Sequence, residues 1–331
     1  MRITRETLIR IAKETAQKQA LSDPELVAAY LTGSLRSEDP FINNSTDIDI
    51  VFVHAGQPRV RREIVAVTPE ISLDIVHNPR SEYEKPKELR VHPWLGPELY
   101  DPLPLHVSHH FFEFVQAGVR AEYDEPSNLL ARARKNADHA RQIWSGLRLD
   151  PLSGPARILS FLKSVNHAAN AVAVLTGAPL AERRFISQFQ ERSAAVGIPE
   201  LSARLLDLLG GVELEAATLG GFLPDWEQAF LEASGKDQVY PGIATPRLAY
   251  YRLAFEAMLA SDFPQSILYP LLHTWSLCAT VLPVEYQTKW SSACETLGFS
   301  EASFGGRLEG LDHFLDTVDE LLEKIAVSQG V

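Results

Sequence analysis

The run Thr46-Asp47-Ile48-Asp49-Ile50-Val51-Phe52-Val53 constrains this chain more than any other stretch. It alternates acid with apolar residue and then becomes continuously apolar, the pattern of a strand half-buried at its start and buried at its end. Residues two apart on a strand share a face. Asp47 and Asp49 therefore stand side by side, while Ile48 and Ile50 point the other way into a core. Two carboxylates this close repel unless something positive lies between them. A divalent cation meets that need, and Mg²⁺, a hard ion that binds oxygen, suits carboxylates combined with phosphate oxygens. A second strand-like run, EISLDIVH, carries Asp74 between Leu73 and Ile75. If the two strands are neighbours, three acids converge. Such a set can hold two metal ions about 4 Å apart, the arrangement for in-line phosphoryl or nucleotidyl transfer.

Upstream, the apolar run LVAAYL ends at Thr32-Gly33-Ser34, and a polar loop with Asn43-Asn44-Ser45 at its tip leads into the acidic strand. Gly33 permits a tight turn and close approach of the backbone to a ligand. Ser34 adds a hydroxyl and a backbone N–H at the start of a helical turn, where anions bind well.

The chain has 331 residues, enough for two domains. Its net charge of −12 argues against a long nucleic acid as the main partner, because phosphate backbones are bound by clustered Lys and Arg. A single nucleotide, whose charge a metal ion neutralises locally, is not excluded. With only Cys278 and Cys294, neither a disulfide framework nor a zinc knuckle is expected. Charges throughout MRITRETLIRIAKETAQKQ argue against a signal peptide. Phe263–Val284 lacks Asp, Glu, Lys and Arg but holds three prolines. It reads as a buried core helix ending before Pro283 and not as a membrane span. A cytoplasmic protein is expected.

Periodicity predicts a first helix over Thr4–Gln19, capped by Thr4, then strands at LVAAYL, DIDIVFV and EISLDIVH. Pro79–Leu105 reads as an insertion or long loop, SHHFFEFVQAG as a helix and VRAEYD as a last strand. After Pro126 helical periods dominate. One helix is expected over Pro155–Thr176 and another over Leu311–Val327, with Gly210-Gly211 and Gly220-Gly221 in loops between helices. The expected class is α+β: a small mixed-sheet domain over 1–125 and an all-α bundle over 126–331.

An apolar residue, Gly-Ser, a spacer of about a dozen residues, Asp-apolar-Asp-apolar, and a third acid on a later strand together resemble the nucleotidyltransferase superfamily that includes DNA polymerase beta. The signature covers Leu31–Ile50 and Leu73–Val76, and the element order extends the likeness over roughly the first 125 residues. VRAEYDE is similar to the strand that closes small bacterial members. The pairing of a small catalytic domain with a helical bundle is similar to the kanamycin-type antibiotic nucleotidyltransferases. The resemblance implies that Gly33 and Ser34 bind a triphosphate and that Asp47 and Asp49 ligate both Mg²⁺ ions. It also implies that Asp74 ligates the catalytic metal and helps to deprotonate an acceptor hydroxyl. Many members carry a second glycine, as GSxxxG, where this chain reads Gly33-Ser-Leu-Arg-Ser-Glu-Asp; Arg36 is the candidate phosphate contact in its place.

Other patterns carry two readings each. Lys163, Asn166, His167 and Asn170 fall at i, i+3, i+4 and i+7 of one helix. The stripe is either a solvent face or a wall of the cleft, in which case Lys163 reaches a phosphate and the others meet the acceptor. His106, His109 and His110 have the spacing of one helix face, a zinc site only if a fourth ligand exists. Arg183 and Arg184 read as a solvated pair or as phosphate contacts. Glu82 and Glu84 are candidate general bases or simply loop charges. The composite expectation is transfer of NMP, AMP from ATP or another NTP, to a hydroxyl of a small-molecule acceptor with release of pyrophosphate. The rivals are a protein acceptor and a non-catalytic nucleotide sensor. The acceptor, the preferred base and the oligomeric state, monomer or homodimer, are left open.

Overall fold

The computed structural model describes residues 3–108, 110–150, 152–236 and 240–331. It divides into two compact units, Met1–Asn128 and Leu129–Val331. The first is built on a five-stranded mixed sheet and the second is helical.

In the first unit, helix α1 (Arg5–Ser22) opens at Thr4, whose Oγ1 accepts the Thr7 N–H at 3.3 Å. Strands β1 (Leu26–Leu31), β2 (Thr46–His54), β3 (Arg62–Ala66), β4 (Ile71–Pro79) and β5 (Leu103–Val107) lie in the order β3-β4-β2-β1-β5. Only β2 and β4 run parallel; the other three pairings are antiparallel. Each sheet face has its own core, as the period of two requires. On one face Leu8, Ala12 and Ala16 of α1 pack on Ile48, Ile50, Phe52, Leu73 and Ile75. The small Ala12 and Ala16 side chains let the helix lie close. On the other face Tyr30, Val51 and Val53 meet α2 (Pro86–Arg90), α3 (Leu95–Tyr100) and α4 (Phe111–Arg120) through Leu89, Leu99, Phe112, Val115 and Val119. Asp47 and Asp49 precede Val51 and Val53 on this second face.

Three expectations are corrected here. Strand β3 was not expected; its residues are exposed or half-buried, so it shows no buried period. The insertion expected over Pro79–Leu105 holds two short helices and the start of β5. Pro104 is tolerated in β5 because this edge strand pairs with β1 alone. VRAEYD is no strand, nor therefore a sheet-closing element. Val119 and Arg120 end α4, and 121–124 form turns with Glu122 at φ 57°. The alternation Val119, Ala121, Tyr123 imitates a strand, but Val119 belongs to the helical series Phe112, Val115, Val119.

In the second unit, α5 (Pro126–Leu149), which begins at the end of the first unit, leads to α6 (Gly154–Ala173), buried along most of its length. The helix Phe304–Gln329 begins seven residues before the expected Leu311. It buries Leu311, Phe314, Leu315, Val318, Leu321 and Leu322. Arg141 of α5 holds Asp312, Asp316 and Asp319 along it at 2.6–2.8 Å. Phe263–Val284 contains the buried helix Leu268–Val281, which stops before Pro283. Gly210 at φ 76° lies in an inter-helix loop as expected, whereas Gly220 and Gly221 close the helix Ala216–Gly221. Among the described residues no strand lies beyond β5, and no helix is long and apolar enough to cross a membrane.

Candidate metal centre

The parallel pairing of β2 with β4 sets Asp49 directly opposite Asp74 and Asp47 opposite Ser72. The neighbourhood of two strands, on which convergence of the acids depended, is thus met. One carboxylate oxygen from each of Asp47, Asp49 and Asp74 lies within 4.8 Å of the other two. Asp47 and Asp74 are buried, Asp49 half-buried. Oxygen donors alone at this separation fit a hard divalent cation such as Mg²⁺.

Gly33 is part of the same construction. Its φ of 70° and ψ of −157° form a conformation open essentially to glycine alone. A Cβ there would lie 1.8 Å from Asp49 Oδ2. The backbone is therefore pressed against the carboxylate, and the Thr32 N–H holds the Asp49 carbonyl at 3.0 Å. After Gly33 the chain makes one 3₁₀ turn, Ser34–Arg36. Arg5 Nε of α1 donates to the Leu35 carbonyl at 2.8 Å, and Ser34 Oγ lies 2.9 Å from Thr46 Oγ1 at the head of β2. The turn is thereby tied to the strand that carries the acids. The loop tip Asn43-Asn44 takes positive φ at both residues before the chain enters β2.

Arg62 of β3 was missed from sequence. Its Nε and Nη2 each donate to one oxygen of Asp74 at 2.7 Å, a bidentate pair. No sequence signal marks it, because the edge strand that aims it has no periodicity.

The remaining candidates sit as follows. Arg36 is held by Asp101, through the side chain at 2.7 Å and the carbonyl at 3.0 Å. Glu82 pairs with Arg61 at 2.8 Å, and Glu84 is exposed. In the second unit, Lys163 is exposed on α6. The Asn166 amide donates to Tyr269 OH at 3.0 Å. His167 Nδ1 lies 3.2 Å from Asn136 Oδ1; burial, then the neighbouring His139 and Lys163, push its imidazole down to about 4, so it is neutral near pH 7. Asn170 is buried, donating to the Asn166 carbonyl and accepting the Leu180 N–H at 2.8 Å. The one-face histidine cluster does not form. His106 is on β5, His110 precedes α4 and pairs with Glu113, and His109 lies outside the described residues. Arg183 is not solvated: it is buried, donates to the Tyr250 carbonyl at 3.0 Å and stacks on the Tyr250 ring.

A scan against protein-family models finds no match, and a search of the curated proteins finds none either.

Proposed function

We propose that the chain is a Mg²⁺-dependent nucleotidyltransferase that moves NMP, AMP from ATP in the first instance, onto a hydroxyl of a small acceptor and releases pyrophosphate. The observation that carries this reading is the convergence of Asp47, Asp49 and Asp74 on one sheet face with the Gly33 backbone seated against Asp49. Asp47, Asp49 and Asp74 would hold the metal. Bound there, Mg²⁺ supplies charge neutralisation for a triphosphate and polarisation of an attacking hydroxyl. The 33–36 turn offers the Ser34 hydroxyl to a phosphate, and its anchoring to α1 and β2 keeps that hydroxyl in register with the acids. Asp74 is the carboxylate best suited to receive the acceptor proton, provided Arg62 yields one of its oxygens.

A non-catalytic nucleotide-binding protein is the second reading, and the Arg62–Asp74 pair favours it, since both Asp74 oxygens already accept from a guanidinium. Calorimetric titration of Mg²⁺-ATP into wild type and an Asp47→Ala/Asp49→Ala variant tests what the readings share. Metal-dependent binding, weakened at least tenfold in the variant, is expected. Wild type that binds no nucleotide of any base would overturn both. Pyrophosphate release with a panel of hydroxyl acceptors then separates enzyme from sensor.

Arg62→Ala follows from the same pair. Asp74 is only 2% exposed in its side chain, Arg62 44%. Loss of the guanidinium leaves a buried carboxylate beside two others. Discounted for the exposed arginine, the cost is about 1–2 kcal/mol. The melting temperature in chelator should fall, and the rise on adding Mg²⁺ should exceed that of wild type. An equal Mg²⁺-induced rise would show that arginine and metal do not compete for Asp74.

A further inference from the structure

At the other end of β2 and β4 from the triad, two buried histidines touch. His54 Nε2 lies 2.9 Å from His77 Nδ1, and each residue is 7% exposed. On the outer side of each ring stands a carboxylate: Asp23 Oδ2 is 3.2 Å from His54 Nδ1, and Glu63 Oε1 is 2.9 Å from His77 Nε2. The series Asp23–His54–His77–Glu63 thus has three short contacts, and each needs one hydrogen between its atoms. Ionised carboxylates bring none, and two neutral imidazoles bring two. The third is an added proton. A further one on either ring would set two N–H groups against each other between the imidazoles. The arrangement is that of a series holding one added proton, whichever member carries it.

The last of these contacts bears on the acidic cluster. Glu63 is next to Arg62 on β3, an edge strand that pairs with β4 alone. Neighbours on a strand face opposite ways. Arg62 reaches Asp74 on one face, and Glu63 reaches His77 on the other. His77 also donates its backbone N–H to the Arg61 carbonyl at 3.0 Å. It therefore holds both residues that flank Arg62. We propose that the proton shared along Asp23–His54–His77–Glu63 clamps β3 onto β4 and so positions the Arg62 guanidinium on Asp74, which makes His77 and Glu63 positioning residues whose hold depends on pH. Without that proton, His77 Nε2 and a carboxylate oxygen face each other with no hydrogen between them. Glu63, whose side chain is 46% exposed, turns out to water, and one of the two holds on β3 is lost. A short, exposed edge strand opens locally at little cost, so the loss of one contact is felt at Arg62. Burial is the largest influence on His77 and opposes its charged form. Glu63 and Asp23 favour that form, His54 opposes it, and the balance falls below the ordinary 6.5. Of the other charged groups nearby, Glu25 and Arg59 line the same pocket with opposite signs, and Arg61 is turned to Glu82. The clamp therefore closes in mildly acidic solution and loosens toward neutrality. Its consequence for Mg²⁺ rests on the triad being the metal centre: a loosened Arg62 yields Asp74 to the cation more readily.

The test follows the Arg62 side chain itself. In the ¹⁵N-labelled full chain without metal, exchange of the Arg62 Nε–H with water is measured at about pH 5 and about pH 7.5 and corrected for the intrinsic rate. Wild type should be protected at least fivefold more at the lower pH. Glu63→Gln should be protected equally at both, because its amide donates to a neutral His77 and accepts from a charged one. Glu63→Ala should be weakly protected at both. Glu63 is about half exposed, so both variants leave the core untouched. Equal protection of wild type at the two pH values, or the same pH dependence in Glu63→Gln, would overturn the proposal. Calorimetric titration of Mg²⁺ gives the second readout: wild-type affinity should rise at least threefold relative to Glu63→Gln between the two pH values, and an unchanged ratio would count against the clamp. Absence of Mg²⁺ binding in every protein would overturn the metal-centre reading alone, since the Arg62 exchange decides the clamp without it.

Discussion

Gly33→Ala is expected to destabilise the first unit by about 2–4 kcal/mol and to disable the acidic cluster together. Two independent penalties meet at this position. The first is conformational. At φ 70° and ψ −157° an alanine pays the strain of a region reserved for glycine. The second is steric. The new methyl would stand 1.8 Å from Asp49 Oδ2 and 3.0 Å from Asp49 Cβ. The carboxylate would have to rotate away or the turn would have to retreat. Retreat is resisted by the Arg5–Leu35 hydrogen bond and by the Ser34–Thr46 contact. With the turn held, it is the Asp49 carboxylate that must swing out of the cluster it forms with Asp47 and Asp74. Denaturant titration should show a lowered midpoint with an unchanged slope, and calorimetry should show Mg²⁺-dependent nucleotide binding weakened along with it. An alanine variant that melts like wild type would mean that the turn relaxes freely and that the glycine is dispensable. A variant that is destabilised yet still binds would separate the fold from the site and count against the acids as the metal centre.

Glycine at this position shows what was legible in the sequence. A Gly-Ser pair after an apolar run and an acid pair at i, i+2 are local patterns, and each maps to one local geometry. The core faces were legible for the same reason: Ile48, Ile50 and Phe52 alternate with Asp49 and Val51, and alternation has one structural meaning. Pairing is a non-local property. That Asp74 lands opposite Asp49 depends on β4 lying parallel to β2, which no local pattern encodes. The intervening β3 is exposed or half-buried throughout, so no periodicity marks Arg62 and Glu63, although each reaches a buried group on β4. His54 and His77 ended two apolar runs without any mark that they would meet. In the helical unit, the stripe Lys163, Asn166, His167, Asn170 was legible as a stripe. Its uses were not, because Tyr269, Asn136 and Leu180 come from distant parts of the chain.

The same non-local assembly predicts how the helical unit responds to pH. Glu182 Oε1 lies 2.6 Å from His273 Nδ1, and its Oε2 accepts the Tyr251 hydroxyl at 2.8 Å. Burial alone would raise the Glu182 carboxyl. The His273 cation and its hydrogen bond, then Arg247 and Tyr251, outweigh burial and pull the group down to about 2. Burial acts on His273 in the opposite sense, toward neutrality, and Glu182 outweighs it, so the imidazole is held above its ordinary value. The signs follow by linkage. A carboxyl depressed in the folded state contributes stability in full above its ordinary 4.5 and loses it as pH falls toward 2. An imidazole raised in the folded state contributes in full below its ordinary 6.5 and loses it as pH rises through the folded value. The pair is therefore at full strength between about pH 4.5 and 6.5 and weakens on both sides. The acid limb amounts to at most about 3 kcal/mol for a displacement of this size. Glu182 keeps 27% side-chain exposure, so solvent trims that ceiling. Denaturant midpoints measured from pH 2.5 to 8 should fall on both limbs in wild type. In Glu182→Gln the difference from wild type should be greatest near pH 5.5 and shrink toward pH 2.5, because the unfolded Glu182 carboxyl takes up a proton below 4.5 and so favours unfolding of wild type, whereas glutamine takes up none. Parallel curves for the two proteins across that range would show that Glu182 and His273 are not an ion pair in solution and that the charge is carried elsewhere in the bundle.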